Sequence, residues 1–196
     1  MTDVNEQLQD GPALIQAFHE RALELLDRED TEPSRKEIAR LLQELALQPG
    51  ILPAVALERL HNAATTATIL HQGPDGRGAL MLLRLPAEQP TPVHNHNCWG
   101  VACVVQGRNR YWRWERLDDL KDPDHADIRL LEVFDHGPGE YAMWGDPPQD
   151  LHAQQGIDDA AYEFVFFGRN PNLQSRAYFD PETGAVTYAA ATGSMT

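Results

Sequence analysis

Hydrophobic positions between residues 10 and 60 recur at helical spacing. Leu14 and Phe18 lie four residues apart and therefore share one face of a helix. Further along, Ser34 and Glu37 form a capping-box pattern ahead of a second apolar stripe. A short third helix is predicted over about residues 53–61. The pattern thus predicts a helical N-terminal region.

From about residue 65 the pattern changes to short apolar or alternating runs, which glycine, proline, aspartate and asparagine clusters separate. The runs cover residues 66–70, 79–85, 99–105, 110–117, 128–134, 162–167 and 186–190. Many short strands with regular turn signals indicate a sandwich or barrel. We therefore expect an all-β barrel over residues 65–196 that carries a helical extension, residues 1–64, packed on it as one structural domain overall.

Composition and charge exclude several classes of partner. The 196 residues carry a formal net charge of −14 at pH 7, which argues against nucleic acid and anionic membrane surfaces as partners. No apolar run approaches the roughly 18 to 20 residues that a membrane span needs. The N-terminal segment has neither a basic n-region nor an apolar h-region, so a cytoplasmic location is the default expectation.

Three of the eight histidines occur in a pattern that indicates metal binding. His94 and His96 lie two residues apart, and on a strand this spacing places both imidazoles on one face. His152 lies in residues 145–156, which are typical of a turn that leads into a strand. Neutral imidazoles are common ligands of transition metals. We therefore predict that His94, His96 and His152 bind one divalent metal ion.

The spacing around these histidines resembles the two motifs of the cupin superfamily. The first motif has His-x-His, an acidic ligand three or four residues later, and a glycine seven residues beyond the acid. Here Gly107 occupies the glycine position, whereas Gly100 stands at the acidic position. The resemblance implies an all-β cupin fold, an RmlC-like jelly roll, whose metal site has three histidines and no glutamate. Ligand count alone does not fix the ion, so Zn, Ni and Mn remain alternatives to Fe(II).

Residues 91–107 resemble a narrower group, the thiol dioxygenases of the cysteine dioxygenase type I family and their bacterial relatives that oxidise 3-mercaptopropionate. Those enzymes carry a Pro-x-His-x-His-x-x-Trp-Gly segment in which glycine replaces the cupin glutamate. Weaker similarity at residues 74–78 and 177–186 extends the resemblance. It implies a mononuclear non-haem Fe(II) centre that adds both atoms of dioxygen to a thiol and gives a sulfinate. A small thiol and dioxygen would then be its partners.

The chain departs from that family where the family binds and processes its substrate. The family's carboxylate-binding arginine aligns with Ala67 and Thr68, and its Ser-x-His-x-Tyr segment aligns with Glu163, Val165 and Phe167. None of these side chains reproduces the chemistry that it replaces. We therefore expect a substrate other than free cysteine.

Three further residues are predicted to act on the substrate. Arg84, on the strand before the motif, and Arg113, in the alternating residues 111–114, are candidates for binding an anionic group. Trp99 belongs to the motif itself and is expected to line the pocket near the metal. The alternative for each is an ordinary surface or core position.

The leading hypothesis is therefore a non-haem Fe(II)-dependent thiol-dioxygenase-like oxidoreductase that acts on a small thiol or another chelating substrate. The alternative is a metal-binding cupin that binds or senses a small ligand without oxygenase turnover. A third hypothesis is another cupin reaction, such as isomerisation or carbon–carbon cleavage of a hydroxylated chelate. The sequence leaves open whether the protein is a monomer or a homodimer.

Overall fold

The N-terminal region of the computed structural model, which describes residues 4–62 and 66–192, is helical. It contains α1 (Val4–Arg28), α2 (Glu32–Ala46) and α3 (Ala54–Asn62). The boundary predicted between residues 64 and 65 lies outside the described residues. Within the described residues, no helix combines the length and the apolar character that crossing a membrane requires.

The start of α2 differs from the sequence prediction. Thr31, and not Ser34, is the N-cap residue, so the predicted capping box at Ser34 and Glu37 is wrong. Pro33 lies in the first turn, where its fixed φ and missing N–H suit a helix N-terminus. Proline therefore starts this helix earlier than the capping pattern suggests.

The rest of the described chain forms eleven strands. They are β1 (Ala67–His71), β2 (Arg77–Leu85), β3 (Val93–His94), β4 (Gly100–Gln106), β5 (Asn109–Arg116), β6 (Ile128–His136), β7 (Tyr141–Trp144), β8 (His152–Gly156), β9 (Ala161–Arg169), β10 (Arg176–Phe179) and β11 (Val186–Ala189). One sheet has the order β1-β2-β9-β4-β7 and the other has the order β11-β10-β3-β8-β5-β6. Every strand pair in them is antiparallel. The prediction of an all-β fold with a helical N-terminal region is confirmed.

Alternation along the first sheet decides what faces the barrel interior. Phe164 and Phe166 of β9 are fully buried in the cluster that the sheet forms with the helices. Val165 and Phe167, one residue out of phase, pack in a second cluster with Trp144. Because successive strand residues point to opposite faces, the helices cover one side of this sheet and the other side lines the interior.

Candidate metal centre

Two neighbouring strands and the turn after one of them carry the three predicted ligands. His94 lies in β3 and is the direct antiparallel partner of His152 in β8. His96 follows two residues later, after β3 has ended. All three side chains are buried. The cross-strand pairing joins residues far apart in the sequence and thereby brings the two histidine-bearing segments together.

The ring nitrogens of these residues converge on one point. Nε2 of His94 is 3.2 Å from Nε2 of His96, which is 3.3 Å from Nε2 of His152. With metal–nitrogen bonds of about 2.1 Å, ligand nitrogens lie about 3.0 Å apart at right angles and about 3.4 Å apart in a tetrahedron. Both distances fall within this interval. The three histidines therefore fit a single transition-metal ion.

Burial keeps the three imidazoles neutral, as ligands must be. Desolvation, and secondarily the charge of Arg176, lowers the pKa of His94 to about 4. Desolvation also lowers the pKa of His96 and of His152. Nδ1 of His94 lies 2.8 Å from the carbonyl oxygen of Pro92, which can only accept a hydrogen bond. The proton of His94 is therefore on Nδ1, and Nε2 presents its lone pair to the centre.

Asp150 holds the turn that carries His96. Its fully buried carboxylate accepts hydrogen bonds from the backbone N–H groups of His96 (3.0 Å) and Asn97 (2.8 Å). Burial raises the pKa of Asp150, although these hydrogen bonds oppose the shift. Since Asp150 lies two residues before His152, this one side chain ties both ligand segments together.

Trp144 fills the space that a side chain at Gly100 would need. A Cβ atom built on Gly100 would lie 2.3 Å from Cζ2 of the indole, which is far inside van der Waals contact. The indole itself stands 4.8 Å from the ring of His152 and 5.6 Å from the ring of His96. Any side chain at position 100 would therefore collide with Trp144. Within the part of the chain that the structure describes, the ligand group contains three histidines and no carboxylate.

A cavity of about 250 Å³ opens onto the three histidines. Apolar side chains form much of its wall, notably Met81, Leu83, Val165 and Phe167. Gln154 and Arg176 add polar groups to the lining. Pockets for drug-sized ligands have volumes of about 300 to 1,000 Å³, so this smaller cavity suits a small molecule. A larger groove of about 960 Å³ beside Trp112 and Trp114 includes none of the three histidines.

Arg176, which the sequence analysis did not single out, lies beside the candidate ligands. Its Nη2 is 3.2 Å from Nδ1 of His96. A guanidinium can only donate, so Nδ1 of His96 accepts and the ring proton is on Nε2 in this arrangement. A metal ion bound at Nε2 requires the opposite tautomer. Metal binding at His96 would therefore release Arg176 from the ring and leave its donors beside the cavity.

The two arginines predicted to bind substrate lie away from the cavity lining. Arg84 is half-buried in β2 opposite Tyr162, and its Nε has no hydrogen-bond partner within the described residues. Arg113 forms a salt bridge of 3.1 Å with Glu132, and both side chains are 46% exposed. Neither belongs to the lining of this cavity, although Arg113 is the direct antiparallel partner of His152, so their role in binding substrate stays a prediction.

Trp99 faces the helices and not the cavity. Its Nε1 donates to Asp30 at 3.3 Å, and the guanidinium of Arg35 lies 4.8 Å from its ring. It shares the outer cluster with Val101 and Cys103, which have the same strand parity. The tryptophan that lines the cavity is Trp144, which is distant in sequence.

Glu163 is fully buried in the barrel behind Gln154. The Nε2 of Gln154 donates to its two carboxylate oxygens at 2.9 and 3.2 Å, and Nδ2 of Asn109 donates to one of them. Burial raises the pKa of Glu163 to about 7, against the opposing effect of these hydrogen bonds. Glu163, which aligns with the serine of the Ser-x-His-x-Tyr segment in thiol dioxygenases, is thus a buried titratable group.

Comparison with known proteins gives similarity to solved structures only. No family model matches the chain, and no curated protein matches its sequence. A cupin superfamily protein from Desulfitobacterium hafniense DCB-2 is 14% identical over 53% of this chain and 75% of its own, with a TM-score of 0.38. An RmlC-like cupin from Ralstonia eutropha JMP134 is 16% identical over 63% and 65%, with a TM-score of 0.41. A hydroquinone 1,2-dioxygenase in complex with Cd²⁺ and 4-hydroxybenzonitrile is 12% identical over 66% and 77%, with a TM-score of 0.45. Likeness at this level assigns no activity to the chain.

Proposed function

We propose that this protein is a non-haem Fe(II)-dependent thiol-dioxygenase-like oxidoreductase that acts on a small anionic thiol other than free cysteine. The observation that carries the proposal is the convergence of three buried histidine Nε2 atoms, with no carboxylate in the group among the described residues. Residues 91–107, through their resemblance to thiol dioxygenases, support iron as the metal and a thiol as the substrate.

A ligand set of three neutral nitrogens suits this chemistry. When bound, Fe(II) would keep its full charge and about three open positions, where a thiolate and dioxygen can be brought together. The reaction joins both oxygen atoms of dioxygen to the sulfur. Four electrons pass from sulfur to oxygen, and a thiolate becomes a sulfinate without an external reductant.

Arg176 is the residue that we assign to the anionic end of the substrate. It lines the cavity and loses its hydrogen bond to His96 when Nδ1 takes up the ring proton. Its fork of donors matches a carboxylate bidentately. We assign the binding of the substrate anion to Arg176 in place of Arg84 and Arg113, because Arg176 lines the cavity at the three histidines.

The apolar walls favour a second candidate, a cupin that binds or senses a small ligand without turnover. Val165 and Phe167 line the cavity at positions that align with polar residues of the thiol dioxygenases. A site with fewer proton-transferring groups can retain binding while losing catalysis. Ligand-dependent thermal stabilisation without oxygen consumption would favour this candidate.

Oxygen uptake by Fe(II)-loaded protein tests the leading proposal. A panel of small thiols would include 3-mercaptopropionate, cysteine and the non-anionic cysteamine. We expect one dioxygen consumed per sulfinate formed with an anionic thiol, and loss of uptake in His152→Ala. His125→Ala, at an exposed position, is the matched control and should keep the activity. Stoichiometric iron without uptake on any thiol would contradict the proposal.

A further inference from the structure

Gln154 lines the metal cavity in a fixed orientation. It lies two residues after His152 on β8, so both side chains point to the same face of the strand. Only 4% of the residue is exposed, and its backbone N–H donates to Oγ1 of Thr91 at 2.9 Å. Strand position and backbone contact together hold this side chain at the wall of the cavity.

Glu163 determines which end of the Gln154 amide faces the cavity. An ionised carboxylate can only accept hydrogen bonds, so the amide nitrogen must point to Glu163 and the oxygen must point elsewhere. Asn109 donates to the same carboxylate and favours its ionised form. Within the described residues no group donates to Oε1 of Gln154, and this oxygen is not among the fully buried polar atoms, so it is an acceptor open to the cavity.

We propose that Gln154 determines substrate specificity by accepting a hydrogen bond from a neutral donor of the substrate, and that Glu163 is a positioning residue that orients it. This inference rests on the proposed function and narrows its substrate to a small hydroxylated thiol acid. The carboxylate of the substrate would bind Arg176, its thiolate would bind the metal, and its hydroxyl would donate a hydrogen bond to Gln154.

A hydroxyl suits the cavity better than an ammonium group does. Arg176 places positive charge there and a bound divalent metal ion would add more, whereas the ionised Glu163 contributes one negative charge behind Gln154. A further cation would lose its hydration in a largely apolar pocket. A hydroxyl would donate to the unused acceptor without adding charge, and this hydrogen bond would offset the loss of its hydration.

Calorimetric titration of Co(II)-loaded protein without oxygen, at pH 8, tests the inference without turnover. The thiol series is 3-mercaptopropionate, 2-hydroxy-3-mercaptopropionate and cysteine, which differ only at C2. The matched series without sulfur is propionate, lactate and alanine. In each series we expect the hydroxyl compound to bind roughly 3- to 10-fold more tightly than the unsubstituted acid. The ammonium compound should bind most weakly.

Three variants locate the origin of this preference. Gln154→Met keeps the side-chain length, removes the acceptor and should abolish the preference. Glu163→Gln lets the Gln154 amide adopt either orientation and should reduce the preference at least by half. Gln155→Met is the matched control, because that side chain bonds the carbonyl of Ala87 at 2.6 Å, outside the cavity lining, and should keep the preference.

The outcomes separate this inference from the proposed function. Equal binding of the three compounds within each series, or a hydroxyl preference that survives in Gln154→Met, would overturn the inference. A hydroxyl preference in both series without any advantage from the thiol would support the roles of Gln154 and Glu163, and it would contradict thiol oxidation and the thiol part of the inferred substrate. No binding by any of the six compounds would contradict both.

Discussion

The guanidinium of Arg176 donates a hydrogen bond to Nδ1 of His96 across 3.2 Å, on the ring nitrogen opposite the one that faces the other histidines. A metal ion at Nε2 and this hydrogen bond require different tautomers of the same ring. The two interactions therefore compete. Metal binding at His96 would therefore also free Arg176 to bind an anionic substrate.

Replacing Arg176 by methionine should separate these two effects. Because the variant removes both the competing donor and a nearby positive charge, Co(II) should bind roughly 3- to 10-fold more tightly. The affinity for 3-mercaptopropionate should fall roughly 10- to 100-fold, since hydrogen bonds to a charged partner are lost. Metal and ligand titrations followed by cobalt absorption measure both. Arg129→Met, at an exposed salt bridge with Glu115, serves as the control, and an unchanged ligand affinity in Arg176→Met would refute the role.

Asp150 should support metal binding without touching the metal. Asp150→Ala leaves two backbone N–H groups without their acceptor, so we expect a loss of about 1 to 3 kcal/mol in the free energy of unfolding. Metal affinity should fall roughly 10- to 100-fold as His96 loses its orientation. Asp150→Asn keeps an oxygen acceptor and should retain most of both. Urea denaturation and metal titration give the two values, and equal behaviour of the two variants would contradict this account.

The contact between Gly100 and Trp144 predicts a strong coupling between two substitutions. Gly100→Ala should cost about 1 to 3 kcal/mol of stability because its Cβ meets the indole. In a Trp144→Ala background the same change should cost less than about 0.5 kcal/mol. At Gly137, where a Cβ would meet nothing closer than 3.6 Å, the alanine control should be nearly neutral. Additive effects in a double-mutant cycle would show that the indole does not occupy this space.

The buried carboxyl of Glu163 should make stability depend on pH. Burial raises the pKa of Glu163 from 4.5 to about 7, so the folded protein binds this proton more tightly than the unfolded chain does. The contribution is complete below pH 4.5 and is lost as the pH rises through 7. Relative to Glu163→Gln, the metal-free wild type should lose roughly 3 kcal/mol across this window. The free energy of unfolding from urea denaturation, measured for wild type and Glu163→Gln from pH 4.5 to 8, checks this. The same pH dependence in both proteins would contradict the shift. Glu58→Gln, at an exposed position, is the control and should follow the wild type.

The sequence pattern identified strands where runs were long enough to show alternation or continuous apolar character. β2 and β9, nine residues each, were predicted within a few residues of their observed ends. β3, with two residues, and β10, with four, are too short to show any periodicity. Their existence depends on pairing with neighbouring strands, and the pairing of β10 with β3 places Tyr178 opposite His94. Such non-local pairing cannot be read from local pattern.

The same distinction applies to the site. The prediction of His94, His96 and His152 as ligands relied on strand parity and on two short segments. The structure brings these residues together, although His96 lies in the turn after β3 and not on the strand. Arg176 enters the site only through the pairing of β10 with β3, so local spacing gave no signal for it beyond the similarity noted at residues 177–186. Trp99 was expected near the metal, but its parity on the chain turns it toward the helices.

Metal content is the measurement that tests the three-histidine centre most directly. Protein expressed with supplementary iron, or loaded with Fe(II) without oxygen, should contain close to one equivalent of metal. His152→Ala should lose it, because two remaining imidazoles hold an ion far more weakly, whereas the exposed-site control His125→Ala should retain it. Wild-type protein that binds no metal under either condition, or a His152→Ala variant that binds as much as wild type, would contradict the account.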